Sequence, residues 1–129
     1  MEELIERRKA FFHNFMKFYC KEHNIAGWSI KFVDINTVFG RDAGALCHKN
    51  HKTIYVNTNH LGWNVPPLWH RDAFLHEFVH LLNFEKCIEL TSVGLDGYCV
   101  PYSVHGREFR KLAYKLGVGK QCIPPTYKE

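Results

Sequence analysis

Residues 69–86, with the sequence WHRDAFLHEFVHLLNFEK, decide the fold of this chain. Apolar side chains recur there at intervals of three and four residues, at Phe74, Leu75, Phe78, Val79, Leu81 and Leu82. This spacing is typical of an amphipathic helix with one face turned to a core. We therefore expect a helix from about Trp69 to Lys86, with the remaining elements packed around it.

Two further helices are predicted by the same periodicity. The first covers residues 2–22 and ends near Asn24 and Gly27. The second runs from about Arg107 to Leu116, where Gly117 is expected to stop it. Its inward side chains should be Phe109, Leu112, Ala113 and Leu116.

Alternating large apolar and polar residues predict a small antiparallel sheet. Trp28–Phe32 is expected to form one strand, and residues 45–48 and 53–57 are expected to pair as a hairpin. Residues 40–44 should form a turn or bulge, and 57–67 a loop. The sequence thus predicts a single α+β domain over residues 1–129, with helices at its amino and carboxyl ends.

Composition narrows the class of protein. The chain has 129 residues, 46% of them hydrophobic, and a formal charge of +4, which permits nucleic-acid contact without requiring it. We expect neither a signal peptide nor a membrane span. The five cysteines are odd in number and form no CxxC pair, as in proteins of a reducing compartment. A cytoplasmic or nucleoid-associated protein that is not secreted is therefore predicted; the sequence indicates no oligomeric state.

The chemistry is concentrated in His76-Glu77-Phe78-Val79-His80. Residues four apart lie on one face of a helix, so His76 and His80 can bind one metal ion. The carboxylate of Glu77 can then reach a water held by that metal and accept its proton as the water attacks a carbonyl. This is the arrangement of a hydrolytic zinc site, in which zinc lowers the pKa of its water to roughly 7.

A catalytic zinc site has three protein ligands and one open position. The acidic and histidine candidates downstream of the motif are Glu85, Glu89, Asp96, His105 and Glu108. Glu85 and Glu89 either continue the same helix or come directly after its end, so they cannot easily fold back onto the ion. Asp96 and His105 lie in or after an irregular segment that could bring either residue to the metal, so the residues alone leave both open.

The motif His76-Glu77-Phe78-Val79-His80, followed by His105-Gly106-Arg107-Glu108-Phe109, resembles the SprT-like metallopeptidases. That family includes the Spartan type of DNA–protein crosslink protease, and its pattern is HExxH, a loop, and HGxxF at the start of a helix. The order of an amino-terminal helix, a Trp-bearing strand and Ile54-Tyr55-Val56-Asn57 before the motif is also similar. Two features depart from the family: 24 residues separate His80 from His105, and no carboxy-terminal zinc ribbon is present.

The resemblance implies a zincin-type active-site helix that holds one zinc ion per chain. His76, His80 and His105 would be the ligands and Glu77 the general base. It further implies an endopeptidase that cleaves peptide bonds by Glu-assisted attack of a zinc-bound water. The substrate would be a protein bound or crosslinked to DNA, with single-stranded DNA favoured, and no membrane would be involved.

The segment from Cys87 to Val104 links two ligand elements and should lie near the metal. A phenol from Tyr98 or Tyr102 there could stabilise the oxyanion of a tetrahedral intermediate. Asp96 could instead orient a ligand imidazole. For all three residues, ordinary packing or solvent exposure is the competing interpretation.

Two other classes of function compete with the peptidase. One is a non-catalytic, zinc-stabilised module that binds protein or DNA, with Cys99 or Asp96 blocking the fourth zinc position. The other is a His–Asn nuclease built from His48, Asn50, His51 and His60. Basic residues of the last helix and its sequel could contact phosphate or simply be solvated: Arg107, Arg110, Lys111, Lys115 and Lys120.

Overall fold

A computed structural model describes residues 2–62, 67–86, 92–93, 99–100 and 107–118 of the chain. Over these residues the fold is α+β, as the sequence predicts. The elements in chain order are α1 (Glu2–Glu22), β1 (Ser29–Val33), α2 (Ile35–Phe39), β2 (Ala45–His48), β3 (Thr53–Asn57), α3 (Thr58–Leu61), α4 (Pro67–Lys86), β4 (Ser92–Val93), β5 (Cys99–Val100) and α5 (Arg107–Leu116). No helix among the described residues is both long and apolar enough to cross a bilayer.

The chain divides into two compact units within α4, between Phe74 and Leu75. The first unit contains a three-stranded sheet in the order β1-β3-β2. Its central strand, β3, is buried at all five positions, which fits its run of β-branched and aromatic residues.

The sheet is mixed, whereas the sequence predicted an antiparallel one. β2 and β3 form the predicted antiparallel hairpin, with Cys47 opposite Ile54. β1, however, runs parallel to β3, with Ile30 opposite Ile54. In the chain, α2 and β2 lie between β1 and β3. This long connection allows β3 to run in the same direction as β1, which a tight hairpin turn would not.

Two short helices, α2 and α3, were not among the elements predicted from the sequence. α2 begins after Asp34, whose carboxylate accepts a hydrogen bond from the Thr37 amide at 3.1 Å, and it ends at Gly40 with φ 65°. The second, α3, interrupts the predicted loop at 57–67, and Asn57 caps it by accepting from the Asn59 amide. Each helix depends on a capping side chain rather than on apolar periodicity.

Asn57 joins the sheet to both short helices and is fully buried. Its Oδ1 accepts hydrogen bonds from the backbone amides of Ile35 at 3.3 Å and Asn59 at 3.0 Å. Its Nδ2 donates to Oδ1 of Asn36 at 2.7 Å and to the carbonyl of Ala43 at 2.9 Å. All four hydrogen-bonding positions of the amide are therefore used.

The core of the first unit is aromatic and centres on Phe12 of α1. Its ring makes edge contacts with Phe32 of β1 at 6.1 Å, with His70 at 5.8 Å and with Phe74 at 6.4 Å between ring centres. Such edge-to-face pairs add to the stabilisation from burial alone. They attach α1 to the sheet and to the first half of α4.

The second unit contains the carboxyl half of α4, the two-stranded antiparallel sheet of β4 and β5, and α5. Phe109 and Ala113 of α5 are completely buried, as predicted, while Leu112 and Leu116 are only half-buried. The helix ends at Gly117, whose φ of 82° suits glycine. The Val118 amide then donates to the Ala113 carbonyl at 3.0 Å, which closes the helix end.

Candidate metal centre

His76 and His80 lie one turn apart on α4, and their imidazole rings make an edge-to-face contact. The ring centres are 5.1 Å apart and the ring planes are inclined by 70°. Both residues are half-buried, so each side chain keeps some contact with solvent. The apolar neighbours Leu75, Phe78 and Val79 are fully buried and fix this orientation of the helix.

The spacing of the two rings fits a shared zinc ion. An imidazole nitrogen binds zinc at about 2.0–2.1 Å, and the ring centre lies about 1.1–1.2 Å behind that nitrogen, so each ring centre is roughly 3.2 Å from the ion. At the tetrahedral angle, two such ring centres are roughly 5.2 Å apart. The observed 5.1 Å agrees with this value. Parallel stacked rings, by contrast, could not direct two nitrogens at one point.

Phe109 of α5, which the sequence predicts to face inward, packs against both imidazoles. Its ring centre lies 4.9 Å from that of His76 and 4.7 Å from that of His80. Phe109 is completely buried, so it forms an apolar floor that restricts the rotation of both rings. Rigid support of this kind keeps candidate ligands in place without a direct bond to the metal.

Glu77 lies beside the first imidazole. Its Oε2 is 3.8 Å from Nε2 of His76, and its side chain is 14% exposed. This separation is too long for a direct hydrogen bond. At this separation, a single water molecule could lie close to both the Glu77 carboxylate and the candidate ligand His76. A general base beside a metal has to be within hydrogen-bond reach of the water whose proton it accepts.

Only part of the predicted site falls within the residues that the structure describes. His76, Glu77 and His80 come together on α4, whereas Asp96, Tyr98, Tyr102 and His105 lie outside the described residues. Within residues 2–62, 67–86, 92–93, 99–100 and 107–118, no group of three His, Cys, Asp or Glu side chains could hold a metal ion. A third ligand would therefore have to come from the segments beyond these ranges, where His105 and Asp96 remain the predicted candidates.

The histidines of the nuclease hypothesis have a different arrangement. The rings of His48 and His51 are stacked in parallel, 3.7 Å apart and inclined by 12°. Nδ1 of His51 is 2.7 Å from the Tyr55 hydroxyl, and Nδ1 of His48 accepts from the His51 amide at 3.3 Å. Stacked rings at this distance cannot share one ion, because their centres are much closer than the roughly 5.2 Å that shared coordination requires.

His60 is tied to a different part of the first unit. It is buried, and its Nε2 is 3.3 Å from Oδ1 of Asp42. Burial also lowers the pKa of His48, with the neighbouring His51 adding to the effect. Hydrogen bonds and ring stacking therefore account for the positions of His48 and His51 at the tip of the hairpin, and the contact with Asp42 accounts for that of His60. These contacts give the nuclease hypothesis no support.

The exposed face of α5 carries several of the predicted basic residues. Lys111 and Lys115 are exposed, and the guanidinium of Arg110 lies 5.9 Å from the ring centre of Tyr114. Tyr114 is 50% exposed. An exposed aromatic ring beside cations is the kind of surface on which unpaired bases stack, and this aromatic residue was not singled out from the sequence.

A pocket in the first unit was also missed at the sequence level. It lies between α1 and the amino-terminal part of α4, and we refer to it as the α1–α4 pocket. Its lining residues are Arg8, Phe11, Phe15, Leu68, His70 and Arg71. No local motif marks it, because its lining residues on the two helices are more than 50 positions apart in the sequence.

Comparisons with protein-family models, with curated proteins and with solved structures give no match for this chain. Support for a function therefore comes from the residues themselves. The strongest feature is the paired imidazoles of α4 with Glu77 beside them.

Proposed function

We propose that this chain is a zinc-dependent endopeptidase whose active site is centred on His76, Glu77 and His80. The observation that carries the proposal is the 5.1 Å spacing of the two imidazoles, which matches shared coordination of one tetrahedral ion. The position of Glu77 beside the first of these rings adds a general base. A purely structural role for the two histidines would not require that carboxylate.

His105 is proposed as the third ligand. It precedes Phe109 by four positions in the sequence, and Phe109 contacts both imidazoles. The SprT-like pattern, in which HGxxF supplies the third histidine, supports the same residue. Asp96, which is also downstream of the motif, is the competing candidate.

In the proposed reaction, Glu77 accepts a proton from the attacking water and later gives it to the leaving amine. The water oxygen bonds to the carbonyl carbon, and the carbon–nitrogen bond of the peptide breaks. When bound, zinc would polarise the carbonyl and lower the pKa of water in contact with it to roughly 7. His76 and His80 would hold the ion, and Phe109, which packs against both rings, would keep them in position.

The proposed substrate is a protein bound or crosslinked to DNA. Support comes from the SprT-like motif and from α5, where Arg110, Lys111 and Lys115 accompany the exposed ring of Tyr114. Cations neutralise phosphates, and an exposed ring stacks on unpaired bases, so single-stranded DNA is the favoured partner. We also propose a cytoplasmic or nucleoid-associated location, which agrees with the free thiol of Cys20.

Removal of metal tests this function directly. We expect 1,10-phenanthroline to abolish cleavage of a DNA-bound protein substrate, and about one equivalent of Zn²⁺ per chain to restore it. The non-chelating isomer 1,7-phenanthroline is the matched control and should leave cleavage unchanged. Cleavage that continues in fully metal-free protein would contradict the proposal.

A further inference from the structure

Asn83 of α4 is a buried residue whose side-chain amide makes no hydrogen bond. It is 3% exposed, and neither its Oδ1 nor its Nδ2 has a hydrogen-bond partner among the residues that the structure describes. Asn57, the other buried asparagine in the described part of the chain, uses all four hydrogen-bonding positions of its amide. Burying a polar group without a partner is costly, because the group gives up its hydrogen bonds to water. The Asn83 amide therefore calls for an explanation other than packing.

Asn83 lies on the same face of α4 as the candidate zinc ligands. It follows His80 by three positions and His76 by seven, which are intervals at which residues share one face of a helix. Each bond from Cα to Cβ in a helix is tilted toward the amino terminus, so we expect the Asn83 amide to extend over the turn that carries His80. β-Carbons three positions apart are about 5–6 Å from each other. One hydrogen bond between an amide and an imidazole can bridge this span.

A histidine that binds a metal ion uses only one of its two ring nitrogens for the ion. The other nitrogen carries a proton, and this N–H is almost always donated to an acceptor that fixes the tautomer and the orientation of the ring. The amide oxygen of asparagine is an acceptor with two lone pairs. Because Oδ1 of Asn83 is not accessible to solvent, a hydrogen bond to it would not have to compete with water.

We propose that Asn83 is a positioning residue for the candidate metal centre. Its amide oxygen accepts a hydrogen bond from the ring nitrogen of His80 that does not bind zinc, and this bond keeps the imidazole in the tautomer that zinc binding requires. Phe109 supports the same ring through an apolar contact, whereas Asn83 selects which nitrogen carries the proton. The inference rests on the proposed function, and it assigns Asn83 no contact with zinc or with substrate.

The affinity of the full chain for Zn²⁺, measured by competition with a chromophoric chelator, tests the inference without relying on activity. We expect Asn83→Ala, which removes the acceptor, to raise the Kd for Zn²⁺ by about 10–100-fold. Asn83→Asp has nearly the same shape and keeps an acceptor oxygen, so it should bind zinc at least as tightly as wild type. Glu85→Ala is the control, because Glu85 lies on another face of the same helix; its Kd should equal that of wild type.

The order of the two Asn83 variants separates positioning from a purely structural role. If Asn83 only stabilised the fold, a buried carboxylate at this position would be at least as harmful as truncation to alanine. A second readout is the ring N–H of His80 in proton–nitrogen NMR spectra of the zinc-loaded protein. This proton should be protected from exchange with water in wild type, and the protection should be lost in Asn83→Ala.

Three results would overturn the inference while leaving the zinc site in place. They are equal zinc affinity in wild type and Asn83→Ala, an affinity in Asn83→Asp no better than that in Asn83→Ala, and free exchange of the His80 ring proton in zinc-loaded wild type. The last result decides the question even where the alanine variant does not fold. Wild type that binds no zinc would instead overturn the proposed function, and this inference with it.

Discussion

Replacing Glu77 with glutamine is expected to lower kcat for peptide hydrolysis by about 10²–10⁴-fold, the contribution of a positioned general base. Glutamine has nearly the same size and cannot accept the proton, so the fold and the metal content should not change. The measurement is cleavage of a DNA-bound protein substrate, with zinc content determined on the same samples. Oε2 of Glu77 lies 3.8 Å from Nε2 of His76, and Glu77 is not a proposed ligand, so the effect should appear in kcat rather than in metal binding.

Glu85→Gln is the matched control for this prediction. Glu85 belongs to the same helix and is also half-buried, and it has no role in the proposed reaction. Full activity in Glu77→Gln would show that this carboxylate is not the base. Zinc-loaded wild type that cleaves no substrate would instead favour the alternative, a non-catalytic module that zinc stabilises.

Replacing Asn57 with alanine is expected to lower the free energy of unfolding by about 3 kcal/mol or more. The change removes four hydrogen bonds at once and leaves the buried Ile35 amide without its acceptor. Because Asn57 connects β3 with α2 and α3, its loss should disturb all three elements. Urea denaturation followed by circular dichroism measures the effect.

Asn59→Ala is the control for the Asn57 variant. The Asn59 side chain is exposed and donates to Asp34 at 2.7 Å and to Asn36 at 3.3 Å. Exposed hydrogen bonds contribute little, since water replaces them, so a loss of at most about 1 kcal/mol is expected. Similar losses in the two variants would mean that the buried network is not what stabilises this corner of the fold.

The long elements could be predicted from sequence because their signals are local. α4 and α5 carry apolar residues at helical intervals, and Gly117 supplies the positive φ that ends α5. The hairpin of β2 and β3 follows from alternation on either side of a short polar turn. In each case the information lies within about 20 consecutive residues.

The features that could not be predicted depend on distant partners. The parallel pairing of β1 with β3 joins Ile30 to Ile54, and nothing in either strand specifies the direction of its neighbour. α2 and α3 are too short for periodicity, and Asn57 stabilises both through contacts that span up to 22 residues. Local patterns do not contain such tertiary hydrogen bonds.

The candidate site divides in the same way. The HExxH spacing is sufficient to predict that two imidazoles share a helix face, and the 5.1 Å ring separation agrees with that prediction. The third ligand depends on how the chain returns after α4, so spacing alone leaves His105 and Asp96 as alternatives. The α1–α4 pocket has no sequence signal, because its lining residues come from two helices far apart in the chain.

The most direct test of the central claim is the zinc content of purified wild type and single-histidine variants, measured by mass spectrometry. We predict about one zinc per chain in wild type, loss of zinc in His76→Ala and His80→Ala, and full retention in the control His51→Ala. Loss in His105→Ala with retention in Asp96→Ala would identify His105 as the third ligand, and the opposite pattern would identify Asp96. Zinc retained in both His76→Ala and His80→Ala, or wild type that binds none, would contradict the zinc site on α4.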